Sequence, residues 1–262
     1  MTRITENHIE EFAIELLEKQ GYQYIYAPDI APDGETPERE NYEQVILIER
    51  LRRAVRRINP SIPADQQEEA IREIQRIASP ELIANNETFH RFLTEGVPVS
   101  YHQDGGERGD LVWLVDFDNP LNNDFVVSSQ FTVIESNHNK RPDVLLFVNG
   151  LPLVLIELKN AADENATIQS AFRQIETYKA QIPSLFTYNA LLIISDGLEA
   201  KTGSLSAGLS RFLAWKSADG KAEASHLVSQ LETLITGMLD KETLLDLIRP
   251  VSYTHLTLPT IA

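Results

Sequence analysis

The chain has 262 residues, 42% of them hydrophobic, which is enough for one large domain with its own core. It contains no cysteine, which excludes disulfides and Cys-ligated zinc. It has no apolar run of membrane-spanning length and its start is polar, so no membrane partner is expected, and the lack of cysteine is compatible with the cytoplasmic, reducing setting expected for it. The formal charge of -16 argues against a free-standing DNA binder, because duplex affinity comes from basic surface, so a DNA substrate would need another component to deliver it.

Residues 5–19 have the pattern of an amphipathic helix, with Thr5 as N-cap and Gly21 as its stop. At about 100° per residue, Ile9, Phe12, Ala13, Leu16 and Leu17 form the apolar face, and Glu11, Glu15 and Glu18 lie opposite. Glu6 and Glu10 fall among the apolar residues. A carboxylate there either snorkels or caps the first turn, or it belongs to a functional site. Capping accounts for Glu6, where negative charge suits the helix dipole; for Glu10, one turn further in, both accounts stand.

Residues 28–37 read as a loop rich in Pro, Asp and Gly. From 42 to about 92 the periodicity is helical, broken at Asn59-Pro60, Pro63 and Ser79-Pro80, which predicts an all-α segment of two or three helices. Within it Arg50, Arg52, Arg53, Arg56 and Arg57 crowd one stretch, read either as a solvated helix face balanced by Glu43 and Glu49 or as a phosphate contact. Residues 103–109 form a polar turn, and strands are expected at 111–117 and 125–134. After a central hairpin come a helix at 164–180, a buried strand at 190–195 and short helices at 208–216, 223–238 and 241–248.

The hairpin, RPDVLLFVNGLPLVLIELKN (141–160), carries the chemistry. Two apolar runs rich in β-branched residues flank Asn149-Gly150, the strongest short-range hairpin signal. Asp143 opens the first run, and Glu157 and Lys159 close the second. Charged groups sit in such runs when something pairs with them or uses them. Side chains two apart on a strand share a face, so Glu157 and Lys159 point the same way and the hairpin brings Asp143 near them. Two carboxylates and an ammonium at one end of a dry sheet suit Mg²⁺ and phosphodiester hydrolysis. Between two carboxylates Lys159 should keep its proton, which favours charge stabilisation and water positioning over a general-base role. The purely structural alternative is a buried ion pair, an expensive route to stability. On the following helix Gln174 and Tyr178, four apart, share a face from which they could support the carboxylates or touch the substrate backbone.

Other chemistries lack their motifs. Lys201-Thr202 is not preceded by the glycine of a phosphate loop, so no ATP site is expected within these residues, and no GxSxG occurs. The six histidines (His8, His90, His102, His138, His226, His255) show no HExxH or other metal spacing, although His102 and His138 flank the strands and could approach the site.

These residues resemble the PD-(D/E)XK nuclease core of the R (HsdR) subunit of type I restriction-modification enzymes. Beyond 141–160, the resemblance takes in Asn119-Pro120-Leu121-Asn122-Asn123 with Phe125, Gln130-Phe131, the QxxxY spacing of Gln174 and Tyr178, Ser195-Asp196-Gly197, Arg211-Phe212 and Trp215-Lys216. It runs from about residue 4 to 249. It implies a restriction-endonuclease-like α/β fold, a mixed central sheet flanked by helices with an all-α insertion. By the same resemblance Asp143 and Glu157 hold Mg²⁺, Glu10 joins them from the first helix with Glu6 in reserve, Lys159 is the catalytic lysine, and Gln174 and Tyr178 support the site or contact DNA.

The implied layout is an endonuclease domain over 1–249. Its helical insertion spans about 38–96, its core about 4–30 and 110–216, and its C-terminal helices 223–249 lead toward an ATP-dependent motor absent from these residues. The implied partners are double-stranded DNA and the methylation and specificity subunits; ATP belongs to the longer subunit. Residues 251–262, VSYTHLTLPTIA, match neither the family nor an amphipathic pattern and read as a non-native tail. Two other readings remain: a RecB-like repair nuclease or single-strand exonuclease, discriminated by the cleavage products on duplex against single-stranded DNA, and a non-catalytic docking module, which would bind no Mg²⁺.

Overall fold

The computed structural model describes residues 6–103, 105–160, 167–225 and 227–251. The Thr5 cap, the start of the helix expected from 164, His226, His255 and the tail beyond 251 lie outside the described residues. The elements in chain order are α1 (Glu6–Lys19), β1 (Gln23–Tyr26), α2 (Ile48–Ile58), α3 (Ala64–Gln75), α4 (Leu82–Glu95), β2 (Val97–Gln103), β3 (Gly106–Val112), β4 (Phe125–Ser129), β5 (Val133–Glu135), β6 (His138–Lys140), β7 (Val144–Val148) and β8 (Leu151–Leu158). They continue with α5 (Ile168–Gln181), α6 (Pro183–Thr187), β9 (Leu191–Ser195), β10 (Ala200–Gly203), α7 (Gln230–Met238) and α8 (Lys241–Val251). No helix among the described residues is long and apolar enough to cross a membrane.

The central sheet is mixed, in the order β1-β4-β7-β8-β9-β10. β7 runs antiparallel to both its neighbours, β4 and β8, whereas β1 joins β4 and β9 joins β8 in parallel. The parallel step from β8 to β9 is made through α5, which packs on both strands, while α1 packs on β1, β4 and β8. Every residue of β4, β7, β8 and β9 is buried, which explains why their sequences are continuous apolar runs rather than alternating ones.

The Asn149-Gly150 turn forms as expected, with φ of 54° and 80° at the two residues. The turn is also a packing point. The Asn149 amide donates to Leu114 O at 2.9 Å and Asn123 Oδ1 at 2.8 Å and accepts from Asp124 N at 2.8 Å. At Gly150 a Cβ would lie 2.4 Å from Leu47 O, just before α2, whose Leu47 N donates to Gly150 O at 2.9 Å. The NPLNN segment thus locks the pole of the sheet opposite the charged residues.

Several expectations are corrected. The strand placed at 111–117 ends at Val112 and begins within the supposed turn; it is β3, paired with β2 in a separate two-stranded ribbon. The signal for β2 was available: Val97, Val99 and Tyr101 are buried at alternate positions. The strand expected over 125–134 is interrupted at Gln130, where φ is 61°. The segment 208–216 holds only one short turn of 3₁₀ helix at Leu209–Arg211, and Leu213 bridges to Thr202 as an extended residue. In 42–92 three helices form.

The arginine stretch is mostly committed to internal ion pairs. Arg50 is buried, forked onto Glu38 at 2.6 and 2.8 Å and bonded to Asp124 at 3.0 Å. Arg52 and Arg56 reach Glu68 at 2.9 and 3.6 Å, and Arg57 donates to Asn122 O at 3.1 Å.

Candidate active site

The charged groups meet at the ends of β7 and β8. Asp143, just before β7, accepts the backbone N–H of Leu158 at 2.7 Å through Oδ2. Lys159 follows β8, its own N–H donating to Ser195 O of β9 at 2.8 Å. Its Nζ lies 2.9 Å from Glu157 Oε1, 2.9 Å from Leu158 O and 3.3 Å from Glu6 Oε1. Glu157 is 1% exposed inside a strand of buried residues. Its Oε2 has no hydrogen-bond donor among the described residues.

From the helix side, Glu6 and Glu10 both face this cluster. Glu6 pairs with Lys159 and is half-exposed. Glu10 is engaged by Gln130, whose Nε2 donates to Glu10 Oε2 at 2.8 Å. Tyr178 of α5 is buried beside Glu157 and Gln174. His102 and His138 sit exposed on the two small ribbons.

Electrostatics follow from burial. Loss of solvent pushes the Asp143 carboxyl up, against the Leu158 N–H and Lys159, which pull it down. The same loss raises Glu157 well above the usual carboxylate range, with the charge of Asp143 adding to it and Lys159 opposing. Glu10 is raised by burial and then by Asp143. Burial works against the Lys159 charge, but Glu157, Asp143 and Glu6 outweigh it, so its pKa rises and it stays an ammonium. The Tyr178 hydroxyl is raised by burial and then by the charge of Glu157.

The acidic side chains here offer carboxylate oxygens, the ligands a hard divalent cation takes. The orphaned Glu157 Oε2 is the atom such an ion would satisfy, and its charge would offset the burial that now disfavours both carboxylates. As they stand, no three His, Asp or Glu side chains among the described residues are grouped closely enough to hold an ion. Asp143 and Glu157 supply the pair, and Glu10 is within charge reach of Asp143.

Sequence reasoning did not give Gln130 a role. Its signal is conformational, a non-glycine residue with positive φ next to a catalytic candidate, which a sequence alone does not display.

Fold and site together define a mixed α/β domain with an acidic pair and a lysine at the end of a buried sheet. Residues 3–211 match the family model described as Type I restriction enzyme R protein N terminus, and the chain belongs to that family. It is 40% identical over 249 residues to the type I restriction enzyme HindI endonuclease subunit of Haemophilus influenzae, covering 94% of this chain and 24% of that protein. Against the type I restriction enzyme EcoprrI endonuclease subunit of Escherichia coli it is 28% identical over 201 residues, 75% of this chain and 58% of that protein. A stretch of 80 residues is 40% identical to the type I restriction enzyme SauCOLORF180P endonuclease subunit of Staphylococcus aureus, 30% of this chain and 8% of that protein. The chain therefore spans about a quarter of the length of the Haemophilus relative.

Proposed function

We propose that this domain is a Mg²⁺-dependent endonuclease of the PD-(D/E)XK kind that hydrolyses phosphodiester bonds of double-stranded DNA. The observation that carries the reading is Glu157: a carboxylate sealed in an apolar strand, one oxygen on Lys159 and the other without a donor, beside a second partly buried carboxylate. Burying such a group costs stability, which a site used in chemistry explains better than a site used in folding.

In this reading Asp143 and Glu157 hold the cation, with Glu10 as a further ligand from α1. The cation they would hold would supply Lewis-acid polarisation of the scissile phosphate and make a nearby water more acidic. Asp143 is registered by the Leu158 N–H, so the two carboxylates keep a fixed offset across the strand pair. Lys159, held protonated by its acidic neighbours, orients the attacking water and faces the charge that grows as the new P–O bond forms and the bond to the departing sugar oxygen breaks. Gln174 and Tyr178 steady Glu157 or meet the DNA backbone.

The longer protein of this family would couple the site to an ATP-driven translocase and to methylation and specificity subunits in the cytoplasm. With a charge of -16 and most of its arginine stretch paired internally, the domain receives DNA from those partners rather than capturing it. Residues 1–249 form the endonuclease domain, with the helices of 38–96 as its insertion.

Calorimetric titration with Mg²⁺ or Mn²⁺ tests the reading, wild type beside Asp143→Ala. Binding heat in the wild type that disappears in the variant is expected. A wild type that binds neither ion, alone or with a DNA duplex present, overturns it.

A further inference from the structure

The segment between β4 and β5 is held at unusual expense. Gln130 adopts φ of 61°, a left-handed conformation that glycine takes freely and a glutamine does not. Its backbone N–H donates to Asp143 O at 3.2 Å, and its side chain donates to Glu10 Oε2 at 2.8 Å. One residue therefore grips two of the acidic residues at the site, on two different elements.

The neighbours keep it there. Phe131 is fully buried, and the Arg39 guanidinium stacks 3.9 Å from its ring centroid. Arg39 Nη1 donates to Thr132 O at 2.9 Å and Gln44 O at 3.3 Å. Arg39 is 4% exposed, yet its Nε and Nη2 have no hydrogen-bond partner among the described residues. A buried guanidinium with two unmatched nitrogens is costly, and the fold accepts it where it pins the two residues after Gln130. Gln130 borders an open cavity of about 310 Å³ that Arg39 and Thr132 also line, with Ala27, Asp33 and Tyr42. Close packing does not force its side chain toward Glu10; the hydrogen bond selects that direction.

We propose that Gln130 is a positioning residue of the metal site: clamped by Arg39 and Phe131, its amide fixes the Glu10 carboxylate beside Asp143 so that both are presented to the bound cation. The inference rests on the metal-dependent reading above and adds to it a second layer that orients a ligand without touching the ion. Glutamine suits the task because its N–H₂ can hold one carboxylate oxygen of Glu10, which the Ser129 hydroxyl also steadies, without closing the carboxylate's remaining lone pairs to a metal.

Two variants separate this role from simple structural support. Gln130→Asn tolerates positive φ but is one methylene too short to reach Glu10, and Gln130→Gly removes both the strain and the contact. Both should melt at or above the wild-type temperature in chelator, yet bind Mn²⁺ about tenfold or more weakly by calorimetry. In a Glu10→Gln background Gln130→Asn should weaken binding no further, since the ligand it serves is gone. Wild-type Mn²⁺ affinity in both single variants, or additive losses in the double variant, would overturn the role of Gln130 alone. A wild type that binds no Mn²⁺ would overturn the metal reading and this inference with it.

Discussion

Asp143 Oδ2 accepts the N–H of Leu158 at 2.7 Å, and Leu158 is the residue that separates Glu157 from Lys159. This one bond ties the start of β7 to the end of β8 in a defined register. It places an acid from one strand against the acid and the ammonium of the other, at the ends of two central strands that are wholly buried.

That burial predicts a trade between stability and activity. Glu157 has its folded pKa raised chiefly by burial, so its stabilising contribution is complete below the ordinary glutamate value of about 4.3 and is lost as pH rises toward the folded pKa. Glu157→Gln removes the loss. Without metal the variant should melt higher than wild type at pH 8, by a few degrees at about 2–4 °C per kcal/mol, and the gain should shrink toward pH 4. Mg²⁺ should raise the wild-type melting temperature and leave the variant's nearly unchanged. A variant less stable than wild type at pH 8 would show that the Lys159 pair supports the fold.

Lys159 separates binding from chemistry. Its ammonium competes with a cation for Glu157 Oε1, so Lys159→Ala should bind Mn²⁺ at least as tightly as wild type. Cleavage by the full-length subunit in its assembly should nevertheless fall by about 10²–10³, the usual cost of removing one charge-stabilising group. ATP-driven translocation should persist. Loss of both activities would refute the assignment of Lys159 to the nuclease step.

How far the sequence led is clearest residue by residue. Asn149-Gly150 between two apolar runs specified the hairpin, and Asp143, Glu157 and Lys159 were legible because charges stand out in runs that must be buried. The tie from Asp143 to Leu158 was not legible, since it uses a backbone N–H. The division between Glu6 and Glu10 was open for a physical reason: both lie on the inner side of α1, one reaching Lys159 and the other Gln130. The ribbon of β2 and β3 was obscured by Pro98 and by three glycines, which read as a loop although alternate residues of β2 are buried. The short helix expected at 208–216 failed because Leu213 pairs with Thr202 at the sheet edge, a long-range choice that local periodicity does not encode.

The turn at the far pole gives a prediction about the fold alone. Gly150→Ala places a methyl 2.4 Å from Leu47 O at φ of 80°, so the substitution should cost at least about 2 kcal/mol in urea unfolding. Any molecules that still fold should bind Mn²⁺ like wild type, because the turn lies at the end of β7 and β8 away from Asp143 and Glu157. Weakened metal binding at full folding would show that the hairpin transmits strain along its length.

Arg50 decides between the two readings of the arginine stretch. A phosphate contact must be free to meet DNA, whereas Arg50 is buried and already shared between Glu38 and Asp124. Arg50→Met should leave those two carboxylates without their cation and destabilise the domain by about 1–3 kcal/mol, less than for a fully buried pair because both carboxylates keep some contact with solvent. Triple replacement of Arg50, Glu38 and Asp124 by apolar residues should recover most of that loss, since the charges being compensated are then absent too. DNA affinity of the assembled enzyme, measured per folded molecule across a salt series, should keep its slope in the triple variant. A shallower slope would mean that Arg50 neutralises a phosphate after all.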